Sequence, residues 1–124
     1  MELNRKAVNN SDPTIGFIGM GLLGKTLVSA MAQQGYRVLA VHSRRTASAQ
    51  DLAARIQGCL VYEQAQELAD SVDLVFITTP DSVIGQVAGQ IKWRPGQGVA
   101  HCCGAAAIEV LSTATALGAA AGAF

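Results

Sequence analysis

The chain has no excess of either charge. Nine lysines and arginines balance nine aspartates and glutamates across 124 residues, for a formal net charge of zero. Without a basic surplus there is no electrostatic footprint for nucleic acid or for an anionic lipid surface. Long apolar runs are also missing. None approaches the ~20 residues that a membrane-spanning helix needs. The start, "MELNRKAVNNSDPT", is polar and lacks the apolar core of a secretory signal. Cysteine is scarce and odd in number. Cys59 and the adjacent Cys102 and Cys103 give no disulfide framework, so a reducing, cytoplasmic setting is the expectation. The cysteines and the two histidines are scattered without ligand spacing, which leaves no zinc site. There is no low-complexity tract and no repeat.

What is present is a folding composition: 50% hydrophobic and 15% charged, in a length that suits one domain. Residues 1–13 read as a flexible arm closed by Pro13, and residues 14–124 as the domain. Thr14–Ile18 is a short buried strand that runs straight into glycines. From Leu22 to Gln34 the spacing is helical, with Leu23, Leu27, Ala30 and Met31 on one face and Gly35 as the stop. "YRVLAVHS" is a second strand, followed by a helix over "TASAQDLAARI" with Thr46 or Ser43 as N-cap. "CLVY", "VDLVFITT", "GVAHCC" and "AAAGAF" supply further strands. "EQAQELAD", Ser82 to Ile91 and "AAIEVLSTATAL" are helices between them. Strict alternation of helices with near-continuous apolar strands predicts an α/β fold: a doubly wound, mostly parallel sheet of about six strands with helices on both faces. The apolar ending "LGAAAGAF" suggests a piece of a longer protein that continues C-terminally.

Two phosphate-binding patterns overlap after the first strand. Gly19, Gly21 and Gly24 spell G-x-G-x-x-G, whereas Gly19, Gly24, Lys25 and Thr26 spell the P-loop pattern G-x-x-x-x-G-K-T. With 13 glycines in the chain, the first pattern arises by chance in about one such sequence in seven, so context must decide. The context is that of a dinucleotide turn: a strand before, a helix after and a second strand ending about 20 residues on. There Gly19 makes the tight turn, Gly21 admits the pyrophosphate and Gly24 lets the helix pack on the strand. The helix N-terminus offers its free N–H groups. The P-loop reading gives Gly21 no task and places Leu22 and Leu23, which join the apolar helical stripe, where a phosphate would be wrapped. It also lacks an aspartate at the end of a buried strand to help hold magnesium. The backbone from Gly19 through Met20, Gly21, Leu22 and Leu23 to Gly24 is therefore the candidate pyrophosphate site.

The end of the second strand selects the dinucleotide. An NAD site usually carries a carboxylate there, but this chain has "VHSRRT". Ser43 takes that position, and Arg44 and Arg45 can pair with a 2′-phosphate. NADP(H) is expected ahead of NAD(H); two solvated surface arginines are the alternative. Thr78, Thr79 and Pro80 end another strand, placed to contact ribose or phosphate, to cap the next helix, or to do both. His101 and Cys103 share a strand face beside Gly104, whereas Cys102 points the other way. No orienting partner makes His101 and Cys103 a catalytic dyad, and no catalytic residue can be named. Cys59 reads as a small buried apolar side chain. Trp93 and Arg94, beside Pro95 and Gly96, read as structural residues or an exposed contact.

Together "TIGFIGMGLLGKTLVSAM", "VHSRRTASAQDLA", "DLVFITTPDSVIGQVA" and "GVAHCCGAAAIEVL" resemble the N-terminal domain of Rossmann-like NADP-dependent oxidoreductases that carry a C-terminal helical domain of unknown function. These are similar to pyrroline-5-carboxylate reductase, the β-hydroxyacid dehydrogenases and the deazaflavin-dependent NADP reductases. The resemblance spans Thr14 to Phe124. It implies hydride transfer between NADP(H) and a small carbonyl, imine or alcohol, with His101, Cys103 and Gly104 near the nicotinamide. Where such proteins typically have His-x-Ser-Gly-Ala, His101, Gly104 and Ala105 match and Cys103 replaces the serine. The resemblance further implies a helical domain beyond Phe124 that closes over the nicotinamide, completes the substrate site and forms a homodimer. A nucleotide-sensing or partner-binding module without catalysis is the alternative.

Overall fold

The structure is a computed structural model that describes residues 12–42, 46–102 and 111–123. Its elements are β1 Thr14–Ile18, α1 Leu22–Gln33, β2 Arg37–His42, α2 Thr46–Ala53, β3 Leu60–Tyr62, α3 Ala65–Ser71, β4 Leu74–Ile77, a 3-10 turn Asp81–Val83 leading into α4 Ile84–Gln90, β5 Gly98–His101, α5 Ser112–Ala116 and β6 Ala120–Ala123. Six strands form one sheet in the order β3-β2-β1-β4-β5-β6, and every neighbouring pair is parallel. The chain builds outward from β1 to β3, crosses back to β4 beside β1, then builds outward the other way. With right-handed crossovers, that reversal puts α1 and α2 on one face and α3, α4 and α5 on the other.

Each face has its own core. Val28 of α1 and Ala49, Leu52 and Ala53 of α2 pack on Ile15, Phe17, Val38, Val41 and Phe76. On the other face Leu68, Ala69, Ile84, Ala88, Leu111 and Ala114 pack on Ile18, Ala40, Val75, Ile77 and Val99. Strands covered on both faces are apolar throughout, which is why they read as runs rather than alternations. Phe17 and Phe76 are partners in the β1–β4 register, and their rings stack with centroids 5.1 Å apart. Gly16 of β1 makes room for α3: a Cβ there would come within 2.8 Å of Leu68 Cδ2.

Helix α1 is buried along a different line from the expected one. Gly24 and Val28 are buried, Leu27 and Met31 half-buried, and Leu23 and Ala30 exposed. The phase is set by Gly24, which packs its bare Cα into the β1 turn and so turns Val28, one helical turn further on, toward the sheet. The helix ends as expected. Gly35 is left-handed (φ 92°), and its N–H and that of Tyr36 donate to the carbonyls of Ala32 and Met31, closing the last turn. Helix α2 stops at Ala53, short of the expected Ile56, and the helix predicted from Ser82 opens as a 3-10 turn whose Val83 N–H donates to Pro80 O. Of the last predicted helix, α5 accounts for Ser112–Ala116.

Candidate dinucleotide site

The strand order reverses between β1 and β4, and that is where a crevice opens at the carboxyl ends of an α/β sheet. The glycine motif lies there. Gly19 leaves β1 with φ +102°, a conformation that side-chain-bearing residues rarely adopt. Its N–H donates to His42 O at the end of β2 (2.9 Å). A Cβ on Gly19 would sit 2.8 Å from Thr79 N and 2.9 Å from the Thr78 carbonyl carbon. A Cβ on Gly24 would strike the Gly19 carbonyl oxygen and come within 2.9 Å of Thr78 Oγ1. These two glycines are fixed by protein. Gly21 is different: among the described residues, a Cβ there meets nothing within 4 Å. No described protein atom requires Gly21 to be bare, and the approach to its backbone is open.

The residues present suit a dinucleotide phosphate on two counts. Gly21 is the N-cap of α1, no side chain caps the helix, and its first turn has no acidic residue. The first-turn N–H groups and their partial positive charge therefore face the open side of Gly21. At the neighbouring strand end, the Thr79 hydroxyl oxygen is buried without a hydrogen-bond partner among the described residues, an orphan that a ligand hydroxyl or phosphate could satisfy.

Thr78 gives its hydroxyl to the glycine turn. Its side chain is buried, and its hydroxyl donates to the Gly19 carbonyl at 2.6 Å, with the Ile18 carbonyl at 3.1 Å. It clamps the glycine turn rather than reaching for ribose, and no side chain caps the 3-10 turn after Pro80. Thr79 is half-buried and Pro80 exposed. Leu22 and Leu23 do not join an apolar stripe; they are 85% and 47% exposed at the open side of the turn. Their exposure removes one objection to a P-loop, but others stand. Thr26 spends its hydroxyl on Leu22 O (2.8 Å), as an ordinary residue of a first helical turn. Lys25 is exposed, and β4 ends in Ile77 followed by Thr78.

His101 closes β5 and is fully buried. Cys102 packs with Ala100 against the α1–α2 side, so it and His101 lie on opposite faces. Burial pushes the Cys102 thiol up, and pushes that of Cys59 up to about 11. Ser43, Arg44, Arg45, Cys103 and Gly104 lie outside the described residues. Trp93 is buried and anchors its indole N–H on Ala88 O at 2.9 Å, a structural role. Among the described residues no group of histidines, cysteines or carboxylates could hold a metal, and no helix is long and apolar enough to cross a membrane.

A parallel sheet in this order, with a left-handed glycine turn and an uncapped helix at its switch point, defines a dinucleotide-binding Rossmann domain. The comparisons with known proteins agree. Residues 14–101 match the family described as "NADP oxidoreductase coenzyme F420-dependent". The chain belongs to this family of NADP-binding oxidoreductase domains, and its cofactor is NADP. A candidate NADP oxidoreductase from Bacteroides fragilis is 26% identical and superposes with a TM-score of 0.70 over 80% of this chain and 39% of its own. The fold is shared with a 3-hydroxyisobutyrate dehydrogenase from Mycobacterium tuberculosis (20% identity, TM-score 0.72, 89% of this chain and 39% of that one). It is shared too with a reductive aminase from Aspergillus terreus solved with NADPH and ethyl levulinate (18%, 0.74, 90% and 40%). The chain thus spans about two fifths of the length of these solved relatives. No curated protein sequence matches it.

Proposed function

We propose that this chain is the cofactor half of an oxidoreductase that moves hydride between NADP(H) and a small carbonyl, imine or alcohol substrate. The observation that carries the reading is the division of labour among the three glycines: protein fills the space around Gly19 and Gly24 and leaves the approach to Gly21 open. Backbone N–H groups from Met20 to Gly24, including those of Leu22 and Leu23, hold the pyrophosphate against the start of α1, while the Gly19 N–H, bonded to His42 O, fixes the turn. Thr78 holds Gly19 in place, and Thr79 and Pro80 flank the ribose. Ser43, Arg44 and Arg45, directly after β2, bind the 2′-phosphate. His101, Cys103 and Gly104 belong at the nicotinamide end, where His101 serves from within the core as support. When bound, the cofactor supplies the hydride; the chain binds and orients it. The substrate side of the site comes from outside this chain, a reading supported by its span of about two fifths of the solved relatives.

Calorimetric titration with NADPH, NADH and ATP tests the proposal. NADPH is expected to bind more tightly than NADH, Arg44→Asp to narrow or reverse that gap, and ATP to show no turnover. Equal affinity for the two dinucleotides would remove the 2′-phosphate assignment.

A further inference from the structure

His42 is the last residue of β2, and its two ends hold two parts of the site's rim. Its carbonyl accepts the Gly19 N–H at 2.9 Å, the first hydrogen bond of the glycine turn. Its imidazole Nε2 lies 3.1 Å from Glu63 O, in the connection between β3 and α3. A carbonyl can only accept, so Nε2 carries the proton. That leaves Nδ1 as the lone-pair nitrogen, and it is buried with no partner among the described residues. The ring is thus a neutral Nε2–H tautomer with a fixed orientation. Burial lowers its pKa from the ordinary 6.5, against a smaller opposing effect of the Glu63 carbonyl, which keeps that form at neutral pH. β2 and β3 are neighbours in the sheet, with His42 opposite Tyr62. The His42–Glu63 bond therefore joins the carboxyl ends of two adjacent strands on the side of the sheet away from β4.

We infer that His42 is a positioning residue for the adenosine end of the dinucleotide: its Nε2–H bond to Glu63 sets the β3–α3 connection relative to the strand end from which the 2′-phosphate selector departs. The inference rests on the proposed cofactor orientation. It separates the two ends of the ligand. The pyrophosphate turn depends on the His42 backbone, which any residue supplies, whereas the adenosine end depends on the imidazole. Gln is the conservative replacement, because its side-chain N–H can reach a carbonyl as Nε2–H does; Leu fills the space but donates nothing.

The test uses adenosine 2′,5′-bisphosphate, which carries only the adenosine end, and reduced nicotinamide mononucleotide, which lacks it. The wild-type chain must first bind the bisphosphate; failure there overturns the cofactor reading itself. Given that binding, His42→Leu is expected to weaken the bisphosphate roughly three- to tenfold, the worth of one net hydrogen bond. His42→Gln should restore most of it, and neither variant should change the response to the mononucleotide. Unchanged affinity in His42→Leu, equal loss for both ligands, or no rescue by Gln overturns the inference. Nitrogen NMR of the wild-type imidazole gives a readout that needs no variant. A neutral Nε2–H ring whose signals shift on adding the bisphosphate supports the role; an Nδ1–H or charged ring, or signals indifferent to the ligand, contradicts it.

Discussion

At the scale of single residues, the three glycines of the turn carry different burdens, and substitution should separate them. Gly24→Ala drives a methyl into the Gly19 carbonyl and the Thr78 hydroxyl; an overpacked site of this kind costs about 1–3 kcal/mol, visible as a lower Tm without ligand. A Cβ at Gly21 meets no described atom, so Gly21→Val should leave Tm nearly unchanged while removing NADPH binding. Lys25→Ala, at an exposed first-turn position, should barely alter binding. Thr78→Val removes the donor that serves Gly19 O. Losing this part-buried bond should cost about 1 kcal/mol, with weaker NADPH binding because the turn loosens. The letters G-x-G-x-x-G were legible in the sequence, but not this division, because it depends on what Thr78 and Thr79 bring against each glycine from a distant strand. His42 adds a pH effect. Its folded pKa lies below 6.5, so between the two values the unfolded chain binds more protons and stability rises with pH. The wild type should therefore lose more Tm than His42→Gln as pH falls from about 7 to 5; an identical loss in both would place the effect elsewhere.

At the scale of elements, the strands were nearly all readable and the helix faces were not. A strand buried on both faces announces itself by composition alone, as "LVFI" does. Helix α1 suggested a face of Leu23, Leu27, Ala30 and Met31, of which the structure packs only Leu27 and Met31 against the core. Gly24, the least hydrophobic position of the stripe, sets the phase because it alone can approach the turn. Helix α3 shows another thing invisible in sequence. Its last carbonyls, Ala69 O and Val72 O, are served by side chains from the turn after Trp93. Gln97 Nε2 donates to them at 2.6 and 3.0 Å, and Arg94 donates Nη1 to the first at 3.0 Å and Nη2 to the second at 2.7 Å. The sequence marked Arg94 as structural or exposed without finding a partner, since nothing local points from that turn to α3. Gln97 is buried, so Gln97→Leu should lower stability by about 1–3 kcal/mol. A denaturant midpoint that fell without a change in slope would report it; an unchanged midpoint would mean that Arg94 suffices.

At the scale of the whole molecule, the reversal of strand order brings the ends of β1, β2 and β4 together, and the site arises from that placement. Alternation in the sequence was enough to give a parallel sheet with helices on both faces. The order of the strands came from the crossover to β4, which no local pattern marks. Ser43, Arg44 and Arg45 are proposed as the selectors of the 2′-phosphate, and selectivity for NADPH over NADH is the behaviour that tests them. The central claim is that a dinucleotide phosphate lies against the open backbone of Gly21. The most direct measurement is NADPH titration of the wild-type chain and of Gly21→Val, with thermal melts of both without ligand. Matching melts are expected, with saturable NADPH binding by the wild type and none by the variant. Undiminished binding by a folded Gly21→Val would contradict the claim.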